Sequence, residues 1–180
     1  FHDQQIREMQ SERSELEREL YLQALHKTAS RSLIQYEVSN FAKADFQSRS
    51  NLKVWDGQPY LGLGCGAHSF DGVNRWGNVR SMRKYMESVG REEPPRDFME
   101  TPTRLQQASE RLMLSLRRPE GLNILSWQEE FQIGLSLEQK NQMEKLKDQD
   151  LVSWESPILK LTTEGMLLAD AITAELMPEA

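Results

Sequence analysis

Apolar residues along this chain switch between two spacings, and the switches mark where elements begin and end. From Ser14 the spacing is helical: Leu16, Leu20 and Ala24 recur four apart, with Leu22, Leu25 and Ala29 beside them. Ser14 and Glu17 make a capping-box pair at its start. Glu15, Glu17 and Glu19 fall where the helix dipole favours acids, and His26, Lys27 and Arg31 near the end where it favours bases. Residues 1–13 are polar, lack a comparable face and read as an extended lead-in. Residues 33–39 then alternate, with Ile34, Tyr36 and Val38 on one face and Gln35, Glu37 and Ser39 on the other, which predicts a strand. A long helix leading straight into such a strand is an α/β signature. In barrels of that kind functional groups gather at the C-terminal strand ends, here Ser39, Asn40 and Phe41.

Residues 43–50 are polar and loop-like, residues 51–55 fit a helical turn or a short strand, and Asp56-Gly57 marks a turn. A short strand over 60–64 runs into Gly62-Leu-Gly-Cys-Gly66, and Gly72, Asn74 and Gly77 keep the following stretch irregular. Residues 81–88 predict a short helix with Met82, Tyr85 and Met86 inward. Arg91-Glu-Glu-Pro-Pro-Arg96 has linker chemistry. Beyond it, Thr103 with Gln106 and Ser136 with Gln139 cap helices carrying Leu105, Ala108, Leu112 and Leu116, and Leu137, Met143 and Leu146. A shorter helix falls between them at 125–131. Apolar runs either side of Ser156-Pro157 predict a two-stranded ribbon, and a last helix opens at Thr163 and runs through Leu176. Three helices, a ribbon and a closing helix are winged-helix-like in order. The expected division is residues 1–90, a linker over 91–100, and residues 101–180.

Composition narrows the class. The 180 residues are 38% hydrophobic and 28% charged, enough for one sizeable core or two small ones. The run Met166-Leu-Leu-Ala169 is far too short to span a bilayer, and Phe1-His-Asp-Gln-Gln lacks the regions of a signal peptide. A single cysteine excludes an intrachain disulfide and fits a reducing compartment, so the expectation is a soluble cytoplasmic protein, cut from something longer because it starts at Phe1. Net charge is −6, and residues 101–180 carry 8 Lys/Arg against 13 Asp/Glu. That balance opposes nucleic-acid binding by a winged-helix-like tail.

Candidate chemistry centres on the glycines. Gly62-Leu-Gly-Cys-Gly66 is not a dinucleotide loop: the third glycine of that pattern would fall on Ala67, and no helix follows. Gly62, Gly64 and Gly66 either let backbone pass close to a ligand or another segment, or make a plain tight turn. His68, just beyond them, is a structural histidine or a haem ligand or proton carrier. The histidines, His2 and His26 included, have no metal-type spacing. Cys65 has no basic neighbour to activate it and reads as a packing residue. Trp55, Trp76, Trp127 and Trp154 lie too far apart for a stacking platform and read as core.

Three motifs in order, Tyr36-Glu-Val-Ser-Asn-Phe-Ala42, Ser50-Asn-Leu-Lys-Val-Trp55 and Tyr60-Leu-Gly-Leu-Gly-Cys-Gly-Ala-His-Ser-Phe70, resemble the region after the catalytic half of HemW-type proteins. These are radical S-adenosylmethionine (SAM) relatives of the oxygen-independent coproporphyrinogen III oxidases. The resemblance implies the last strands and helices of a partial β/α barrel, followed by a mainly helical, winged-helix-like domain. It implies a parent protein with a [4Fe–4S] cluster and SAM, whose ligands lie upstream of Phe1. It makes the missing N-terminal half a partner, with haem and a haem-accepting protein as further ones, and it leaves open whether the parent catalyses or only carries. Asn40, Phe41, Gly62, Gly64, Gly66 and His68 would shape the cavity, with Asn51 and Trp55 beside it. The chaperone branch carries His-Asn-x-x-Tyr-Trp, whose histidine is implicated in haem binding. Here Asn51 and Trp55 match, but Ser50 and Val54 replace the histidine and tyrosine. A hydroxyl cannot replace imidazole on haem iron, so either another group such as His68 ligates or this member binds haem weakly or not at all. The alternative class is an acidic, winged-helix-like protein-interaction module.

Overall fold

The computed structural model describes the backbone of residues 2–178 and the side chains of residues 15–178. It is a mixed α/β protein of eight helices and three small sheets among the described residues. Two compact units divide it between Gln47 and Ser48.

In the first unit, α1 (His2–Ala29) is followed by β1 (Ile34–Glu37) and β2 (Asn40–Ala42). The predicted lead-in is part of α1. Its Gln, Glu, Arg and Met residues are good helix formers, so propensity carries a helix where no apolar face is visible. The expected Ser14 cap and His2 fall on side chains outside the described residues. The Tyr21 hydroxyl donates to Gln35 Oε1 at 3.0 Å, tying α1 to β1. β1 is shorter than the alternation suggests and pairs antiparallel with β2, with a register shift between Gln35 and Glu37. That shift turns Glu37 inward beside Tyr36, and only 1% of Glu37 remains exposed. The Glu37 carboxylate accepts the Ser39 N–H at 3.1 Å, which closes the turn into Asn40.

The second unit begins with α2 (Arg49–Trp55), capped by Ser48, whose hydroxyl accepts the Asn51 N–H. Next come β3 (His68–Phe70), β4 (Arg75–Asn78), α3 (Met82–Gly90) and β5 (Arg96–Glu100). The antiparallel order β3-β4-β5 replaces two sequence expectations. Gly72 and Asn74 shape a hairpin turn rather than an irregular stretch, and the second half of the 91–100 segment is a strand. The expected strand at 60–64 reduces to one bridge, Tyr60 with Phe70. In the β3-β4 turn the Asp71 carboxylate accepts N–H groups of Asn74 at 2.6 Å and Val73 at 2.8 Å. The bond from Asn74, then that from Val73, holds this carboxyl below the usual range. A depressed folded pKa means the turn gains from Asp71 above the ordinary carboxylate pKa and loses that gain as pH falls through the lowered value. An Asp71→Asn hairpin should therefore show no such acid transition in the Asn74 amide shift, whereas the parent should.

The rest of the unit is α4 (Arg104–Leu116), β6 (Leu122–Asn123), α5 (Ile124–Phe131), α6 (Leu137–Asp148), β7 (Val152–Glu155), β8 (Ile158–Leu161), α7 (Thr163–Leu167) and α8 (Ala169–Leu176). Both predicted capping boxes are present, at Thr103/Gln106 and Ser136/Gln139. The predicted ribbon is β7-β8, joined by β6 on the far edge of β8. The single closing helix is broken at Leu168 into α7 and α8. Ala108, Leu112, Leu116, Trp127, Met143, Leu159 and Ile172 form the core, each at most 2% exposed. Inside it the Trp127 indole donates to the Ala108 carbonyl at 2.9 Å, and the Gln139 side chain donates to the Leu176 carbonyl at 3.0 Å. These two bonds keep large buried polar groups paired, whereas Thr173 Oγ1, buried in α8, has no hydrogen-bond partner among the described residues.

The sheet and the helical core are joined by charge. Arg75 on β4 bridges Glu100 and Glu110, each at 2.7 Å. Burial works against the Arg75 charge, but the hydrogen bonds to Glu100 and Glu110 outweigh it and the net shift is upward. Asp56, capping the end of α2, pairs with Arg118, and its carbonyl accepts Arg111 Nη1 at 2.9 Å.

Candidate functional site

The glycine loop leading into β3 is held from below by three side chains. The Gly62 N–H donates to Ser69 Oγ at 2.9 Å, and the Gly64 N–H donates to the Tyr85 hydroxyl at 3.1 Å. Asn78 Nδ2 donates to the carbonyls of Gly62 at 3.3 Å and Gly64 at 2.9 Å. Gly66 donates to the Val79 carbonyl at 3.0 Å. Ser69 is fully buried and Asn78 is 8% exposed, so the loop rests on a nearly dry polar footing. The glycines are required for two different reasons. Gly64 and Gly66 have φ of +103° and +70°, a region that side chains disfavour. Gly62 is instead a close approach: a Cβ there would sit inside van der Waals distance of the His68 carbonyl oxygen.

His68 emerges from this footing into solvent. It pairs with Gly77 on β4, which pairs in turn with Phe98 on β5, so the three form one row across the sheet. Because Gly77 has no side chain, the rings on either side meet over it, with centroids 5.7 Å apart and planes tilted by 55°. A Cβ on Gly77 would come within 2.5 Å of the Phe98 ring. The His68 imidazole is exposed and makes no hydrogen bond or ion pair among the described residues, so it is free to take a ligand.

The remaining expected site residues are distributed. Asn51 and Trp55 are one helical turn apart on α2, both half-buried, and Ser50 is hydrogen-bonded to Ser48 at 3.1 Å. Asn40 and Phe41 lie on β2 in the first unit, Asn40 exposed and Phe41 half-buried. Gly62, Gly64, Gly66 and His68 are brought together; no hydrogen bond or ring contact among the described residues joins Asn51 or Trp55 to them. Sequence reasoning places Tyr85 inward on residues 81–88, as found, but gives Ser69 and Asn78 no role. Met82 and Met86, expected inward on α3, are 63% and 59% exposed, because α3 turns only Tyr85 towards the loop.

No family model matches the chain. A solved structure titled "Coproporphyrinogen III oxidase (HemN) from Escherichia coli is a Radical SAM enzyme" superposes with a TM-score of 0.68 at 16% identity, covering 87% of this chain and 39% of that one. The fold of this chain is therefore similar to that of part of that structure. In sequence the chain is 30% identical over 166 residues to "Heme chaperone HemW" of Bacillus subtilis, covering 92% of this chain and 44% of that protein. It is 31% identical over 142 residues to the Mycobacterium tuberculosis protein of the same name, covering 79% and 34%. The chain belongs to the HemW-type family, and it spans less than half the length of these relatives. No helix among the described residues is long and apolar enough to cross a membrane.

Proposed function

We propose that this chain serves haem or porphyrin handling as one portion of a HemW-like protein, with haem as cargo and His68 as its ligand. The observation that carries the reading is the His68 imidazole, unpaired and exposed at the end of a pinned glycine loop beside the Phe98 ring. An imidazole supplies the iron ligand, and an adjacent aromatic face packs against a macrocycle. Asn40, Phe41, Asn51 and Trp55, with Gly62, Gly64 and Gly66, are proposed to line the cavity of the whole protein. Residues 1–90 would then be late barrel elements and residues 101–180 a winged-helix-like C-terminal domain, with residues 91–100 connecting them through β5.

A [4Fe–4S] cluster of the three-cysteine kind does not fit the residues present. The chain has one cysteine, half-buried Cys65, and no group of three His, Cys, Asp or Glu side chains that could hold a metal ion among the described residues. Cluster and SAM are therefore proposed for the rest of the protein, along with a haem-accepting partner. Titrating the chain with haemin should develop a shifted Soret band, and His68→Ala should weaken that complex about tenfold or more. An unchanged complex in His68→Ala removes His68 as ligand. A second reading, an acidic winged-helix-like interaction module, is favoured by the 8 Lys/Arg against 13 Asp/Glu of residues 101–180. A chain that leaves the haemin spectrum unaltered would support it.

A further inference from the structure

The opposite face of the β3-β4-β5 sheet carries a second feature. Gly77 shares the His68 row, so Trp76, the next residue along β4, projects to the other side. There Arg96 lies over the Trp76 ring, its guanidinium carbon 4.8 Å from the centroid. Beside them runs an open groove of about 220 Å³, walled by Leu61, Leu63, Val89, Pro94 and Pro95. Leu61 is 70% exposed, Leu63 82% and Val89 46%. The loop that presents the two leucines is the one fixed by Ser69, Asn78 and Tyr85, so the apolar wall is held in place rather than free to collapse.

The charge in this groove lacks a partner. Arg96 forms no ion pair among the described residues, and the hydrogen bond found for its guanidinium is to the weak acceptor Met99 Sδ at 3.6 Å. The nearby Glu93 is already paired with Arg91 at 3.0 Å. An exposed guanidinium placed over an indole and flanked on one side by an apolar groove matches a carboxylate at the end of an apolar body. A phosphate would draw on glycine N–H groups, but those of Gly62 and Gly64 are occupied by Ser69 and Tyr85.

We infer that the groove between the glycine loop and the Arg96–Trp76 stack is a binding site for an apolar carboxylic acid, distinct from His68. Two sources offer that chemistry: the propionate edge of a tetrapyrrole and a fatty acid. Metal-free mesoporphyrin, with its dimethyl ester as control, and laurate, with dodecanol as control, separate them in calorimetric titrations of the full chain. At least one acid should bind, with its uncharged control about tenfold weaker. Arg96→Ala should cost a similar factor, and Arg96→Lys should recover part of it. Leu63→Asp, at a position too exposed to matter for folding, should weaken binding as well. His68→Ala should leave acid binding intact, which separates this site from the proposed haem ligand. Binding of laurate alone supports the site with a fatty acid as its source. Controls that bind as tightly as the acids, or Arg96→Ala binding unchanged, would overturn the inference.

Discussion

Trp127→Ala lowers the stability of the second unit by about 3–5 kcal/mol, the range for emptying a large aromatic site in a packed core. Trp127 is 2% exposed, in a core that also buries Ala108, Leu112 and Leu116. Its removal strips both the contact area and the bond from the indole N–H to the Ala108 carbonyl. Trp127→Phe separates the two contributions. It keeps most of the apolar volume and loses the hydrogen bond, so it should cost about 1–2 kcal/mol, the bond itself being worth about 1 kcal/mol. Urea unfolding followed by circular dichroism reads both variants without relying on the deleted fluorophore. Equal losses in the two would mean that the hydrogen bond, not the packing, dominates at this position.

That core was largely visible in the sequence, and the reason is that its determinants are local. The Thr103/Gln106 and Ser136/Gln139 boxes act over three residues, and Leu112 and Leu116 repeat within one helical turn. The β7-β8 ribbon is likewise a short-range pairing around Ser156-Pro157. What the sequence hid is non-local. β5 follows two prolines and carries charges at Arg96, Asp97 and Glu100, so by itself it resembles a linker; it is a strand because β4 lies beside it, about 20 residues earlier in sequence. Trp55, Trp76 and Trp154 are expected in the core together with Trp127, yet they are only half-buried. An aromatic residue announces large area, not where that area goes. In the candidate site, the glycines and His68 are legible as a motif and Tyr85 as an inward helix position, whereas the reach of Ser69, Asn78 and Tyr85 to the loop is not. They act across 7, 14 or 16, and 21 residues respectively.

Gly62→Ala tests how far that footing governs the site. The new methyl would meet the His68 carbonyl, which is fixed by β3-β4 pairing, by the Ser69 bond to Gly62 and by the Tyr60–Phe70 bridge. Backbone cannot yield as a flexible side chain would, so β3 or the loop must shift, at about 1–3 kcal/mol or somewhat more. The His68 and Ser69 amide resonances should move, and binding of haemin and of the apolar acid should weaken together, because one loop supports both faces. Gly64→Ala provides the contrast. No atom lies within 4 Å of its added methyl, and the cost is that of φ at +103°, about 1–3 kcal/mol of backbone strain. That strain is confined to the loop crest, so the His68 amide should stay near its parent position even where stability falls comparably. If Gly62→Ala leaves the His68 resonance in place while both ligands still bind, the loop does not position the histidine, and the two faces of the sheet are independent of it.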